Sequence, residues 1–409
     1  MTNSAVGVYI SVPFCKAKCT FCNFASGVFS ASRMQGYVDR VCREIQGARI
    51  AANGLGAALD RSVDSVYFGG GTPSLLSAEQ FRQIFQALRH QFDLVAGAEI
   101  TLECAPGQLG DDTLNELLRQ GMNRISFGVQ SFVDRELAAV GRLHTEQQCN
   151  AEISRLRAAG VPEINLDLIA GLPHQTEQSW RYSIEQAIAS GVPHVSVYML
   201  EVDEESRLGK EMLASGTRYH AMAVPSEDDA AAWYQLACEA FDAAGLRQYE
   251  ISNFARSGHA SQHNLKYWKR QPYIGFGLDA HSMLRADASD VRFANTSDLD
   301  AYLGSESNAG PFEIVTQTKD SSDTNADIIG REEAFEESLF LGLRLNEGVA
   351  LSGLRGEFGD AMLEDAMPAL LEVRDAGLLE MDSGLIRLTA RGRMVSNEVF
   401  SRLLLTSAA

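Results

Sequence analysis

VGVYISVPFCKAKCTFCNF, residues 6–24, joins a strand to a cysteine loop and settles the class of fold. Its opening, Val6–Val12, is an apolar, β-rich run stopped by Pro13, the pattern of a buried strand. After Pro13 comes a short loop with three cysteines, Cys15, Cys19 and Cys22, spaced Cys-x3-Cys-x2-Cys. Chemistry on the loop directly after a first strand is the habit of α/β proteins, which gather ligands at the C-terminal ends of their strands.

Beyond this stretch, the same strand-then-helix unit recurs over the first 255 residues. Further strands are predicted at Ser65–Phe68, Glu99–Cys104, Arg124–Gln130, Glu163–Ile169 and His194–Leu200. Helices between them stop at Gly121, Gly160, Gly191 and Gly245, since glycine enters the left-handed conformation without steric cost. Ser77 with Gln80 has capping-box spacing, and Phe81, Ile84, Phe85 and Leu88 mark one apolar face. Alternating strands and helices imply a parallel sheet with right-handed crossovers. Six units predict an α/β fold built on a partial (β/α)6 TIM-type barrel, with a seventh strand at Gln248–Phe254. Residues 1–255 then form the barrel, and residues 256–330 a segment with a His-Asn-Leu-Lys-Tyr-Trp motif at 263–268 followed by a linker that is polar from Leu303 onward. Residues 331–409 form a small α+β module, whose hairpin at Leu379–Met381 and Leu385–Leu388 gives it a winged-helix-like look.

Composition narrows the function. With 35 basic against 54 acidic residues, net −19, the chain lacks the cationic surface that phosphate backbones require, so nucleic acid is not expected as a partner. The winged-helix-like tail is accordingly expected to face protein or to serve as a lid. No leader and no long apolar span is legible, and a cytoplasmic protein is expected. Cys42, Cys104, Cys149 and Cys238 stand alone in apolar patterns and read as packing residues.

Three thiolates on one loop can hold three irons of a cubane cluster and leave the fourth iron open. A structural zinc would need a fourth ligand, and no histidine or cysteine nearby supplies it. Gly69-Gly70-Gly71-Thr72-Pro73 follows the second strand, where missing side chains let a ligand approach the backbone, although a glycine run also serves as a plain turn. Glu103 and Gln130 end the third and fourth strands, and Asp167 lies in the fifth. Carboxylates in such apolar runs must face a ligand or find an internal partner, with Arg124 and Arg142 as candidates.

The Cys-x3-Cys-x2-Cys loop resembles the signature of the radical S-adenosylmethionine (SAM) superfamily. Tyr9-Ile10-Ser11-Val12-Pro13-Phe14-Cys15, the glycine loop and the C-terminal module resemble its HemN/HemW branch over most of the chain. The resemblance implies a [4Fe–4S] cluster on Cys15, Cys19 and Cys22, SAM chelating the open iron, and reductive cleavage of SAM to a 5′-deoxyadenosyl radical. It implies SAM contacts at Tyr9, Gly70 and Glu103, and a second SAM site at Phe24, Gly71, Thr72, Gln130, Arg142 and Asp167. Phe24 stands where HemN-type dehydrogenases carry a fourth cysteine, and only eight residues precede Tyr9. Both departures move the resemblance toward HemW heme chaperones. His263-Asn264-Leu265-Lys266-Tyr267-Trp268 resembles their heme-binding His-Asn-x-x-Tyr-Trp motif, with Ser261-Gln262 where relatives often carry Cys-Arg. A histidine beside Tyr and Trp is also a common core cluster. The expected partners are heme and an apo-hemoprotein recipient, with a membrane-associated respiratory protein as one candidate and a homodimer left open. The competing expectation is a HemN-like radical enzyme: a coproporphyrinogen III dehydrogenase, a methyltransferase or a cyclopropanase.

Overall fold

The computed structural model describes residues 5–286, 289–304 and 326–404. Six parallel strands lie side by side in chain order: β1 (Val6–Val12), β2 (Ser62–Gly70), β3 (Asp93–Cys104), β4 (Arg124–Gln130), β5 (Glu163–Ala170) and β6 (His194–Met199). Helices such as Ala31–Gly54, Ala78–Gln91 and Glu177–Ala189 connect them. The expected helix stops hold, with Gly121, Gly160, Gly191 and Gly245 all at positive φ. Ser77 and Gln80 close the expected capping box.

One set of alternate strand residues turns to the helices. Val8, Ile10, Val66, Phe68, Leu102, Ile125, Phe127, Leu166, Val195 and Val197 are fully buried in one core with Phe81, Phe85 and Leu88. The other set is polar: Ser65, Glu99, Thr101, Glu103, Ser126, Asn165, Asp167, His194 and Ser196. Ser126, Asn165, Asp167, His194 and Ser196 bond one another along the barrel lumen. Asn165 Nδ2 donates to Ser126 Oγ at 2.8 Å and to Asp167 Oδ1 at 2.7 Å, while Ser196 Oγ donates to Asn253 Oδ1 at 2.7 Å. Period-two patterning therefore makes an apolar shell and a wet, functional interior.

The sheet does not close. The expected single seventh strand is two short ones, β7 (Arg247–Glu250) and β8 (Asn253–Ala255), because the chain reverses at Ile251-Ser252; β8 runs antiparallel to β6. Beyond β1 the sheet continues through β9 (Tyr273–Phe276), β10 (His281–Arg285), β11 (Asp290–Ala294) and β12 (Ala326–Ile329). Residues 256–304, placed outside the barrel by the sequence reading, thus contribute strands β9, β10 and β11 to the same sheet. The polar stretch 305–325 lies outside the described residues.

Helix Gln262–Trp268 crosses the N-terminal ends of the barrel strands. Buried Glu99 accepts from Ser261 Oγ and from the backbone N–H groups of Gln262 and His263, at 2.9–3.0 Å, completing the helix's N-cap. Lys266 Nζ donates to Ala5 O and pairs with Asp64, both at 2.8 Å.

The C-terminal module runs helix Arg331–Leu343, β13 (Val349–Ala350), helices Leu351–Phe358 and Asp360–Asp375, and the hairpin β14 (Leu379–Asp382) and β15 (Leu385–Leu388). This is winged-helix order, with Ser383 and Gly384 both at positive φ in the turn. Arg270, 3% exposed, joins the module to the sheet by pairing with Asp290 at 2.5 Å and Glu337 at 2.9 Å. No helix among the described residues is long and apolar enough to cross a membrane.

Candidate cluster and cofactor site

The cysteine loop is tied at both ends. Cys15 N–H donates to Gly27 O, and Gly27 N–H to Pro13 O, each at 2.9 Å. Gly71 N–H donates to Val12 O at 2.8 Å and Thr72 N–H to Phe14 O at 2.7 Å, which seats the glycine loop against the cysteine loop. A Cβ on Gly71 would stand 2.8 Å from Phe14 O and 2.9 Å from Val12 O, so only glycine permits this approach.

Above these loops opens a cavity of about 1040 Å³ at the C-terminal ends of the strands. Cys15, Cys19 and Cys22 line it together with Phe24, Gly70, Gly71, Thr72, Glu103, Gln130, Arg142 and Asp167. Tyr9 does not line it. Its ring packs under Gly69 and opens into a neighbouring cavity of about 350 Å³ that shares Gly70 and Phe24.

The sulfur surroundings test whether a cluster suits this loop. Thr72 Oγ1 donates to Cys15 Sγ at 3.8 Å, Arg142 Nη1 donates to Cys19 Sγ at 3.6 Å, and Ser26 Oγ stands 4.0 Å from Cys22 Sγ. Every sulfur has a hydroxyl or guanidinium neighbour to offset thiolate charge, the arrangement that tunes iron–sulfur centres. Among the described residues no three His, Cys, Asp or Glu side chains converge on one point, as a single ion would require. Ligands that each hold a different corner of a cluster need no such convergence. The residues fit the group.

The carboxylates face the cavity rather than ion-paired arginines. Glu103 accepts from Tyr67 Oη at 3.0 Å and from Gly70 N–H at 3.1 Å. Burial, with Asp167 as a second cause, pushes its carboxyl up to about 8. Burial also raises Asp167, which accepts from Ser126 and Asn165. Arg124 instead holds Glu99 and Glu163, at 3.7 and 3.6 Å. Gln130 is a non-glycine residue at φ 70°, with Oε1 buried and unbonded, and Arg142 Nε is likewise unbonded. Strain and orphaned polar atoms facing one cavity mark a place prepared for a polar ligand.

Sequence reasoning missed Ser126 and Tyr198 on the strands, and Arg344 and residues 393–398 from the C-terminal module, all of which line the large cavity. The alternation of strands β4 and β6 could have signalled the first two. The tail carries no local sign of its position.

The His263 motif lies elsewhere. His263, 1% exposed, bonds Ser65 Oγ at 2.9 Å through Nδ1 and Tyr267 Oη at 2.8 Å through Nε2, with Tyr67 stacked on it at 5.2 Å. Burial lowers its pKa to about 3. Trp268 carries the Arg344 guanidinium over its ring at 4.2 Å. Of the motif, Tyr267 lines the smaller of these two cavities, while His263, Asn264 and Trp268 line neither of the two.

Fold and site together define a radical SAM protein. The radical SAM superfamily model matches residues 9–187 and the HemN C-terminal domain model residues 329–395. The chain is 31% identical to "Heme chaperone HemW" of Lactococcus lactis subsp. lactis, over 97% of each chain. It is 31% identical to the Bacillus subtilis protein of that name, over 97% of this chain and 98% of the other. Among solved structures, coproporphyrinogen III oxidase (HemN) from Escherichia coli matches with a TM-score of 0.77 and 22% identity, over 98% of this chain and 90% of that one, a likeness of fold. The chain belongs to the HemW family. Membership of the radical SAM superfamily assigns it a [4Fe–4S] cluster and SAM as cofactors.

Proposed function

We propose that this protein is a heme chaperone: it holds a [4Fe–4S] cluster on Cys15, Cys19 and Cys22, binds SAM beside it, takes up heme and passes it to an apo-hemoprotein. Near-full-length similarity to curated HemW proteins carries the reading. The cluster supplies one-electron chemistry and an open iron when bound. Thr72, Arg142 and Ser26 offset charge on the sulfurs. Gly70 and Glu103 hold SAM, the glycine by close backbone approach and Glu103 by offering a carboxylate to a cationic group. Gln130, Arg142 and Asp167 offer polar atoms to a second SAM in the same cavity. Residues 393–398 line the same cavity from the C-terminal module. Tyr267 brings the His-Asn-x-x-Tyr-Trp motif to the heme.

Anaerobic reconstitution with iron and sulfide, followed by spectroscopy on adding SAM and then heme, tests this. The expected results are a SAM-dependent change in the cluster spectrum, stable heme uptake, and release to an apo-hemoprotein. Formation of protoporphyrinogen from coproporphyrinogen III, with SAM and dithionite present and no heme uptake, would replace the chaperone with a dehydrogenase.

A further inference from the structure

The C-terminal module reaches the large cavity without sharing the barrel's core. Phe335, Leu339, Leu343, Leu370 and Ile386 pack in a core of their own. Among the described residues, Met394 is the module side chain that packs against the core of the main sheet. Hydrogen bonds and ion pairs carry the joint. Toward β9–β11, Arg270 and Arg292 hold Glu337 at 2.9 and 2.6 Å, and Lys269 holds Glu347 at 2.9 Å.

On the cavity side the seam is short. Leu345 forms a bridge with Glu250 of β7. Asn346 N–H donates to Tyr249 O at 2.9 Å, and Asn346 Nδ2 to Gln248 O at 2.7 Å.

Arg344 stands at the end of that seam with two holds on the barrel. Its guanidinium lies over the Trp268 ring at 4.2 Å, and its Nη2 is 3.6 Å from Oε2 of the fully buried Glu250. A planar cation can stack by its face while pairing by its edge, which an ammonium cannot do. The same side chain lines the large cavity, as do residues 393–398, whereas Asn346 does not.

We propose that Arg344 is a positioning residue: it latches the C-terminal module against β7 and the end of helix Gln262–Trp268, so that the module is a door to the large cavity. This rests on SAM occupying that cavity and adds how it enters and leaves. Units with separate cores and a polar joint move relative to one another unless a large apolar interface prevents it. Opening breaks the Asn346 hydrogen bonds and both Arg344 holds, and leaves each core intact. SAM passes while the seam is open, and closing returns residues 393–398 to the cavity wall. Because the latch opposes opening before and after binding alike, weakening it speeds entry and exit together. Losing a direct contact with SAM would speed exit alone.

The test is stopped-flow mixing of SAM with cluster-loaded, full-length protein under anaerobic conditions, read by the cluster absorbance. Hydrogen exchange of residues 344–350, followed by mass spectrometry, reports the seam itself. Arg344→Gln and Asn346→Ala should each raise association and dissociation rates roughly three- to tenfold, with Kd changed by less than about twofold. Both should speed exchange at residues 344–350 and leave that of β5 unchanged. Arg344→Lys should fall between Arg344→Gln and wild type. If Arg344→Gln raises dissociation alone while Asn346→Ala behaves as wild type, Arg344 is a SAM contact and the latch is wrong. Unchanged exchange in both variants would also overturn it. Should Arg344→Gln not fold, Asn346→Ala decides alone, since it lies outside the cavity. If wild type shows no response to SAM, the placement of SAM fails, and the exchange data still decide the latch.

Discussion

Replacing Glu103 with Gln should make the protein more stable and less able to bind SAM, and the gain should depend on pH. Glu103 borders the large cavity beside Asp167, and burial is the first cause of its raised pKa, from 4.5 to about 8. Below pH 4.5 the folded and unfolded chains both hold the proton, so no penalty arises. Between 4.5 and about 8 only the folded chain holds it, so stability falls as pH rises, and above 8 the penalty is constant. At about 1.4 kcal/mol per pH unit this amounts to an upper limit of roughly 5 kcal/mol. Because Glu103 is only half-buried and one edge meets cavity water, about 2 kcal/mol is a fair expectation. The amide that replaces the carboxyl could still accept from Gly70 N–H and donate to Tyr67 Oη. Urea unfolding of cluster-free protein in reductant at about pH 5, 7 and 9 would follow the effect, the variant's advantage growing with pH at constant m-value. Isothermal titration with SAM would show at least about tenfold weaker binding in the variant at high pH. A stability difference that stays flat across that range would refute the assignment of a proton to Glu103.

Single contacts set the remaining predictions. Gly71→Ala must push Val12 and Phe14 carbonyls aside, costing about 1–3 kcal/mol and lowering iron content after reconstitution, measured by iron and sulfide assay. Maleimide on native, cluster-free protein should label Cys15, Cys19 and Cys22, while Cys104 and Cys149, both pushed up to about 12 by burial, stay unmodified by mass spectrometry. Arg270→Met removes the cation shared by Asp290 and Glu337 at the joint between sheet and tail, leaving them to Arg285 at 2.8 Å and Arg292 at 2.6 Å; a loss of about 1.5–3 kcal/mol should appear as a lower melting temperature and earlier proteolysis of the tail.

The six parallel strands were legible because each carries a short apolar run, and β4, β5 and β6 each follow a glycine-stopped helix. Strand β3 starts earlier than its pattern suggests, at Asp93 rather than Glu99, since residues 93–97 are largely exposed and Leu94-Val95-Ala96-Gly97 lacks the alternation of a half-buried strand. Strands β9 to β12 have only four or five residues each, and β10 to β12 pair antiparallel with partners that local sequence does not name. The cysteines, the glycine loop, Glu103, Gln130 and Asp167 were legible because strand ends place them on one rim. The depth of His263 was not. Its motif reads as a ligand face, yet the carboxylate that caps its helix is Glu99, 164 residues away on β3. Long-range capping of that kind leaves no local trace.

The polar lumen explains why one barrel can serve two cavities. Had the inward set been Val and Leu, as in a filled β/α barrel, the interior would be packed and inert. Instead Ser65 bonds His263, Tyr67 stacks on His263 and donates to Glu103, and Glu103 accepts from Gly70 N–H, Gly70 being one of two residues that line both cavities. Each member of this column has a bonded or stacked neighbour, so a change in one position must be absorbed by the next. His263 then acts as a foundation: it holds Tyr67 under Glu103 on one side and Tyr267 in the wall of the smaller cavity on the other.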